Sequence, residues 1–402
     1  MISFLFLLSS FLQEEQSSIQ IYKASKVYTA SEQGMLDNGI VVVDGQKILF
    51  VGKEQDEAVQ SWLAKGYSIT NLGRNWLVPG LVEPHNHIAG SLRDLNDTVF
   101  LTNPELHTNE VLTPNNVMMR DAVAGGVTSA LFIPGSGSNM GGFGMLVKTA
   151  GGDTVEDIVV RGPGSLKVAQ AGNPERYSFG VGRALMNWNT RDTLTKGLDW
   201  ARAYDAGEAQ WDPRYASFLG LAQGSVPVSV HTQIYQVVLT TLTMQVRDLG
   251  LKSFIDHGTF DGFKTASLAA ELGVPVMNGP RQFWFDRSTA QIIGCAAGWS
   301  DDPNLILGYN TDAPVVPQEE LTLQAAMGVR LGAGDNQSAL KGMTAHAAKA
   351  LIMEDVAGKL VPGLDADLVL WTGDPVDPRS SVLKVWVRGE KVYDVDVDAR
   401  RF

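Results

Sequence analysis

The chain has 402 residues, 44% of them hydrophobic and 19% charged, which is an ordinary globular composition with enough apolar material for a large core. This composition excludes a disordered chain, a coiled coil and a fibre. The 44 acidic and 32 basic residues give a formal net charge of −12. So acidic a chain repels phosphate backbones, and nucleic acid is therefore not expected as a partner. The single cysteine, Cys295, excludes an internal disulfide framework and a cysteine-based zinc site.

The first residues predict an export signal. Residues 2–12 read ISFLFLLSSFL, an apolar run that is too short to span a bilayer and is typical of the core of a signal peptide. No Lys or Arg precedes the run, which departs from that pattern, and a buried N-terminal strand is the alternative. No cysteine directly follows the run to carry a lipid anchor. We predict a signal peptide over residues 1–18 and a periplasmic or secreted protein without a membrane anchor in its mature form, with a cytoplasmic protein as the alternative.

Both ends of the chain show strand-like alternation of apolar and polar residues. Residues 19–75 contain short alternating runs that break at Gly or Asn-Gly, and the tail from residue 357 repeats this style. The simplest packing joins the two ends into one unit. We predict a composite β-sandwich domain of residues 19–75 and 357–402 beside a central domain of residues 76–356.

The central segment alternates strand-like apolar runs with helical periodicity. Eight runs are predicted as strands: Trp76–His87, Val127–Ile133, Met145–Thr149, Ser165–Gln170, Val226–His231, Ser253–His257, Val274–Met277 and Leu305–Asp312. Helix patterns lie between several of them, for example from Thr113-Pro114 to Gly125-Gly126. Eight strands with intervening helices in about 280 residues predict an α/β fold of the (β/α)8 TIM barrel type. The alternative, a doubly wound open sheet, usually carries a GxGxxG turn after its first strand, and that turn is absent there.

Four of the six histidines and one aspartate stand at the ends of these runs. His85 and His87 are two residues apart at the end of the first run, and in a strand such positions face the same side. His231, His257 and Asp312 each close a later run. Any one of these histidines alone would more often be a packed core or rim residue. Because the carboxyl ends of barrel strands converge on one face, the joint pattern predicts one divalent metal site.

Several segments resemble the amidohydrolase superfamily. PGLVEPHNH, residues 79–87, resembles its first-strand signature, usually written PG-hydrophobic-hydrophobic-D-x-H-x-H, with Glu83 in place of the usual Asp. VPGLDADLVLW, residues 361–371, resembles its closing segment. AGGVTSALFIPGSGSNMGG and LKVAQAGNPERY resemble the imidazolonepropionase-like and prolidase-like branch. The resemblance covers nearly the whole chain after the leader and implies a metal-dependent hydrolase built on a TIM barrel.

The resemblance implies a site for one or two divalent ions, with zinc as the favoured metal. By this resemblance His85, His87 and Asp312 would hold the more buried ion, and His231 and His257 would hold the second. Members with two metals often bridge them with a carboxylated lysine from the fourth strand.

Two lysines are candidates for that bridge. Lys167 lies in the fourth predicted strand and is the residue that matches the family position. Lys148, on the third predicted strand, is the rival. A site without any carbamate is the third option.

The reaction implied by the resemblance is hydrolysis of a non-aromatic C–N bond in a peptide, a linear amide or a cyclic amide. A metal-activated hydroxide would attack the carbonyl, with Asp312 as the proton shuttle. The alternatives are a deaminase or imidazolonepropionase-type cyclic-amide hydrolase with one metal, and a metal-binding barrel without turnover. The expected partner is a small molecule or dipeptide, whose carboxylate Arg176 could pair, with a surface ion pair as the alternative role of that arginine. The oligomeric state stays open, a homo-oligomer included.

Overall fold

The computed structural model describes residues 19–91, 95–177 and 181–399. Within these ranges the strands form two eight-stranded sheets and one two-stranded hairpin. The predicted signal peptide, residues 1–18, lies outside the described residues. In the same ranges, no helix combines the length and the apolar character that crossing a membrane requires.

The N-terminal segment begins the first sheet, which we call the terminal sheet. Its elements are β1 (Ile19–Tyr28), β2 (Met35–Asp44), β3 (Lys47–Lys53), α1 (Glu57–Ala64), β4 (Ile69–Asn71) and β5 (Trp76–Pro79). The predicted alternation becomes antiparallel pairing of β1 with β2 and of β2 with β3. The turn between β2 and β3 places Gly45 at φ 53°, a left-handed conformation that glycine adopts without strain.

The central segment forms the second sheet, which we call the barrel sheet. Its strands are β6 (Leu81–Asn86), β7 (Val127–Phe132), β8 (Met140–Lys148), β9 (Val159–Ala169), β10 (Val228–Thr232), β11 (Ser253–His257), β12 (Val276–Asn278) and β15 (Leu307–Tyr309). Between β12 and β15 the chain forms a separate hairpin of β13 (Phe283–Asp286) and β14 (Gln291–Gly294). Each of the eight predicted runs contributes one strand to it. Every residue of β6, β7, β10, β11 and β12 is buried, as expected for strands that are covered on both faces.

One strand departs from the predicted (β/α)8 pattern. β8 pairs antiparallel with both β7 and β9, whereas the other neighbouring strands of this sheet pair in parallel. The cause is the short connection from Phe132 to Met140, because a parallel return needs about a dozen residues or more. The carboxyl end of β8 therefore lies at the opposite end of the barrel from the carboxyl ends of the other strands.

The barrel sheet is nearly closed. Its strand order runs from β15 through β12, β11, β10, β9, β8 and β7 to β6. Between β6 and the segment after β15, an isolated bridge joins Asn86 to Ala313, and the His87 N–H donates to the Ala313 carbonyl over 2.9 Å. We call this junction the seam.

Helices connect the strands of the barrel sheet. They are α2 (Val117–Ala124), α3 (Val155–Ile158), α4 (Asn173–Tyr177), α5 (Arg183–Asp205), α6 (Phe218–Ala222), α7 (Tyr235–Thr240), α8 (Ala266–Glu271), α9 (Cys295–Trp299), α10 (Leu321–Arg330), α11 (Asn336–Lys341) and α12 (Ala347–Ala350). Short 3-10 helices cover Thr108–Val111, Gly262–Thr265 and Gln318–Glu320, and π-helical turns cover Thr241–Asp248 and Gly342–His346. The first predicted helix begins later than its Thr113-Pro114 signal, because the side chain of Asn116 accepts hydrogen bonds from the Met118 and Met119 N–H groups and caps it.

Both chain ends share the terminal sheet. Its last strands are β16 (Leu368–Trp371), β17 (Val382–Val387) and β18 (Glu390–Asp394), and its order is β18-β17-β16-β5-β1-β2-β3, with β4 beside β1. The predicted run Trp76–His87 is thus two strands, of which β5 belongs to this sheet. The chain passes into the barrel sheet at Gly80, where an added Cβ would lie 2.0 Å from Thr128 Oγ1. That the terminal sheet forms a sandwich and a domain of its own stays a prediction.

Candidate metal site

The structure brings the predicted ligand residues together at one end of the barrel. They are His85 in β6 and His87 directly after it, Lys167 in β9, His231 in β10, His257 at the end of β11, and Asp312 after β15. The first five side chains are buried, whereas the Asp312 side chain keeps 17% exposure. Strands that converge at their carboxyl ends thus carry residues from distant parts of the chain into one cluster.

Three of these side chains meet at one point. His85 Nε2 and His87 Nε2 each lie 3.1 Å from Asp312 Oδ1, and the two nitrogens are 3.3 Å apart. His85, His257 and Asp312 also form a group whose ligand atoms all lie within 4.8 Å of one another. Nitrogen and carboxylate donors at such spacing could hold a divalent ion.

Backbone carbonyls set the ring orientation of two histidines. His87 Nδ1 donates to the Ile133 carbonyl over 2.8 Å, and His257 Nδ1 donates to the Gly279 carbonyl over 2.8 Å. Because Nδ1 carries the proton in both rings, the lone pair of the neutral imidazole lies on Nε2. This arrangement is typical of metal-binding histidines, whose second nitrogen is held by a carbonyl or carboxylate.

His257 provides the test of whether these residues fit a metal ion. Its Nε2 is buried and has no hydrogen-bond partner among the described residues. An unpaired polar atom in a protein interior is costly, and a bound cation would remove that cost. The His257 ring centroid lies 4.7 Å from that of His85 and 4.4 Å from that of His231. The donor set of His85, His257 and Asp312 therefore fits a divalent ion, and the ring of His231 lies beside that set.

Two of the predicted ligands have a left-handed backbone. His257 has φ 74° and Asp312 has φ 51°, a region that residues other than glycine rarely adopt. Such strain costs about 1–3 kcal/mol and persists where the surrounding structure over-determines it, often at functional sites. His257 ends β11 and Asp312 follows β15 by three residues, so in both residues the strained backbone lies just where the side chain enters the cluster.

Asp256 belongs to the cluster, although sequence reasoning missed it. Its Oδ2 lies 3.1 Å from His85 Nδ1 and 3.7 Å from Lys167 Nζ and accepts a hydrogen bond from Ser229 Oγ. The side chain is fully buried. The sequence signal was the Asp-His pair that ends β11, since a carboxylate behind a ligand histidine is a common supporting partner.

Burial and neighbouring charges shift the pKa values in the cluster. Burial lowers the pKa of His257 to about 4 and, together with His257, holds the pKa of His231 well below its usual value. Burial and Lys167 also act to lower the pKa of His85, but Asp256 and Asp312 raise it to about 9. Neutral imidazole is the form that binds a metal, so His231 and His257 are in the required state at neutral pH.

Burial and neighbouring charges also shift the pKa values of Asp312 and Lys167. Burial acts to raise the pKa of Asp312, but His85 and His87 outweigh it and hold that pKa well below its usual value. Burial lowers the pKa of Lys167, against the opposing effect of Asp256 and Asp312. Asp312 is therefore a carboxylate in this cluster, and the neutral amine of Lys167 forms more readily than that of an ordinary lysine.

The two candidate lysines lie at opposite ends of the barrel. Lys167 Nζ is 3.2 Å from His85 Nε2. Lys148 ends the antiparallel strand β8 and lies 2.6 Å from Asp367 Oδ2 and 2.9 Å from Asp365 Oδ2. The structure thus removes Lys148 from the cluster, because its strand runs the other way.

Arg176 and the two other histidines of the chain, His107 and His346, lie outside the buried cluster. Arg176 is exposed on α4. His107 stacks on Phe143 with ring centroids 5.5 Å apart, and His346 Nδ1 donates to the Leu307 carbonyl over 2.8 Å. These two histidines have structural partners of their own.

Comparison with known sequences identifies curated relatives. No protein-family model matches the chain. Amidohydrolase tasK of Hapsidospora irregularis is 25% identical in an alignment 370 residues long, which covers 79% of this chain and 36% of that protein. The imidazolonepropionase of Hyphomonas neptunium is 33% identical in an alignment 64 residues long, which covers 15% of this chain and 16% of that protein. The chain thus spans 36% of the length of tasK and a smaller share of the imidazolonepropionase.

Solved structures share the fold over nearly the whole chain. An amidohydrolase from Thermotoga maritima MSB8 superposes with a TM-score of 0.80 and 26% identity, covering 93% of this chain and 99% of that one. A Xaa-Pro dipeptidase with methionine bound in its active site shares the fold alone, with a TM-score of 0.55 and 16% identity over 94% of this chain and 100% of that one. With these relatives and the first-strand signature, the chain belongs to the amidohydrolase superfamily.

Proposed function

We propose that this protein is a metal-dependent amidohydrolase that hydrolyses a non-aromatic C–N bond in a peptide, a linear amide or a cyclic amide. The observation that carries the proposal is the meeting of His85, His87 and Asp312, whose facing atoms are 3.1–3.3 Å apart. Imidazole and carboxylate donors in this arrangement suit a divalent cation such as zinc. The likeness to an amidohydrolase from Thermotoga maritima supports the reaction class.

The roles of the residues follow from their surroundings. His85, His87 and Asp312 would hold one cation, and His231 and His257 would hold a second. A bound cation would polarise the scissile carbonyl and lower the pKa of a water molecule. Asp312 accepts the proton of the attacking water and delivers it to the leaving nitrogen. Asp312 suits this transfer because it is ionised and keeps 17% exposure beside buried histidines.

We further propose that Lys167 is carboxylated and that its carbamate would help to hold two cations. Its burial favours the neutral amine that reacts with CO2. Asp256 lies 3.7 Å from its Nζ and would repel the negative carbamate. Two cations are therefore needed to stabilise a carbamate in this position.

Lys167→Ala is expected to lose one of two metal equivalents and most of the activity, because the carbamate oxygens that would help to hold the cations disappear. Short-chain carboxylic acids should restore part of the activity by entering the vacated space. Elemental analysis and kcat with and without added acid measure both effects. Lys264→Ala is the control, since that lysine is 52% exposed and pairs with Asp261. Unchanged metal content in Lys167→Ala would reject the carbamate at Lys167.

The metal content of the wild-type protein is the first test of the proposed function. Protein purified without chelator should contain two equivalents of metal per chain and hydrolyse members of a panel of dipeptides and cyclic amides. One equivalent would favour the second candidate, a deaminase or cyclic-amide hydrolase with one metal, which the compact group of His85, His257 and Asp312 supports. No metal after addition of Zn²⁺ or Mn²⁺ would overturn the hydrolase mechanism, and metal without turnover would favour a binding protein.

The remaining sequence-based expectations stand as proposals of the same kind. Arg176 pairs the carboxylate of the substrate. Residues 19–75 and 357–402 form a β-sandwich domain beside the barrel of residues 76–356. The protein is exported, by a signal peptide over residues 1–18. Light scattering would establish the oligomeric state, for which a homo-oligomer is the candidate.

A further inference from the structure

The seam of the barrel divides the candidate metal site. His85 and His87 lie on the β6 side, and Asp312 lies on the β15 side. β6 and β15 are the two ends of the strand order, and here the barrel has an isolated bridge between Asn86 and Ala313 instead of a continuous ladder. The distance of 3.1 Å between these histidines and Asp312 therefore depends on what else holds the two sides together.

Glu83 spans this seam with its side chain. It lies in β6, two residues before His85, and is fully buried. Its Oε1 accepts a hydrogen bond from the His85 N–H over 3.1 Å. Its Oε2 accepts from the Thr311 N–H over 3.0 Å and from Thr311 Oγ1 over 2.8 Å. One carboxylate thus joins the backbone of a proposed histidine ligand to the residue that precedes Asp312.

A third partner fixes the carboxylate from outside the two strands. Gln318 Nε2 donates to Glu83 Oε2 over 2.6 Å and lies 3.2 Å from Thr311 Oγ1. The donors to Glu83 are therefore two backbone N–H groups, a hydroxyl and an amide. An ionised carboxylate only accepts hydrogen bonds and satisfies all of them, whereas an amide in its place would turn an NH2 group toward one of the donors.

The geometry points to Glu83 as a positioning residue that sets the separation between the histidines and Asp312 across the seam. This inference rests on the proposed metal site. The resembling family usually has Asp at this position, and here the Glu83 carboxylate reaches from β6 to Thr311 and Gln318. By holding Thr311, Glu83 also restrains the neighbouring left-handed backbone at Asp312, which has φ 51°.

Glu83→Gln is expected to weaken metal binding about 10- to 100-fold, the range typical for loss of a residue that supports a ligand. The variant keeps the length and volume of the side chain but cannot accept from all of the donors. We expect kcat to fall in the same range while KM changes little, because Glu83 acts through the ligands and not on the substrate. The visible spectrum of the Co²⁺-substituted protein should change, since it reports the geometry around the ion.

A matched pair of glutamine variants separates positioning from general packing. Gln318→Leu removes one donor to Glu83, whereas Gln324→Leu removes a buried glutamine that is bonded to Gln282 over 3.0 Å. We expect weaker Co²⁺ binding and an altered spectrum in Gln318→Leu and neither change in Gln324→Leu. If Glu83→Gln does not fold, this pair of variants alone tests the positioning role of Glu83.

The experiment is a Co²⁺ titration of metal-free protein, followed by absorbance, with melting temperature and kinetics measured in parallel. Failure of the wild type to bind Co²⁺ would reject the metal site, and with it the proposed function. Wild-type binding with unchanged affinity and spectrum in both Glu83→Gln and Gln318→Leu would overturn the positioning role alone. Equal losses in Gln318→Leu and Gln324→Leu would also overturn it, because they would reflect packing.

Discussion

Asp312→Asn is expected to lower kcat about 10²- to 10⁴-fold, the usual contribution of a positioned proton-transfer group. Asn has nearly the same shape but can neither accept the proton of the attacking water nor deliver it to the leaving nitrogen. The barrel should keep its fold, because the side chain is partly exposed and its ion-pair partners are the rings of His85 and His87. Kinetics should be measured with saturating metal, since Asn is also a weaker ligand than a carboxylate.

The control for Asp312→Asn is Asp301→Asn, which neutralises an exposed carboxylate outside the cluster. It carries the same change in net charge, so any loss of activity common to both would reflect charge and not proton transfer. Metal content and circular dichroism should be recorded for both variants. Wild-type kcat in a metal-loaded Asp312→Asn protein would reject the shuttle role.

The barrel strands could be predicted because most of them are buried on both faces and read as continuous apolar runs. The same runs indicated where site residues would gather, since side chains at the carboxyl ends of barrel strands converge whatever the intervening loops do. The places of His231 and His257 near the ends of β10 and β11 were enough for that expectation. The long helix α5 that precedes β10 did not have to be predicted.

The direction of β8 could not be read from its apolar pattern, because parallel and antiparallel buried strands look alike in sequence. The deciding feature is the short connection between Phe132 and Met140, whereas the apolar pattern places the third strand later, from Met145. That difference leaves Lys148 as a rival to Lys167 in the sequence. In the structure, the antiparallel direction takes Lys148 to two aspartates of the closing segment instead.

Asp256 was missed for a different physical reason. Strand alternation sends consecutive residues to opposite faces, so a ligand at His257 does not by itself indicate that Asp256 faces the same site. The left-handed φ of 74° at His257 breaks the alternation. A left-handed conformation of this kind at a residue other than glycine is imposed by tertiary packing, and the residue type at this position does not predict it.

The role of Glu83 was equally hidden, although its departure from the family signature was visible. Its partners Thr311 and Gln318 come from the far end of the barrel sequence. The hydrogen bonds from these partners to Glu83 exist only once β6 and the segment after β15 meet at the seam. Sequence patterns locate strand ends, but which side chains cross from one strand to another depends on the closed structure.

His87→Ala is expected to abolish metal retention during purification, with a larger loss of affinity than the roughly 10- to 100-fold typical of supporting residues. The Ile133 carbonyl holds His87 Nδ1, which leaves Nε2 facing His85 Nε2 and Asp312 Oδ1 at 3.3 and 3.1 Å. Alanine removes this donor from the centre of the cluster. The fold should persist, because His87 lies just beyond the end of β6 and the loss affects the rim of the barrel.

His107→Ala is the matched control for that variant, since His107 stacks on Phe143 outside the cluster. Elemental analysis should find wild-type metal in His107→Ala and almost none in His87→Ala, with similar circular dichroism for both. Normal metal content in His87→Ala would remove it from the ligand set and leave His85, His257 and Asp312 as the group to test next. Loss of metal in both variants would mean that the barrel mouth, and not one imidazole, had been disturbed.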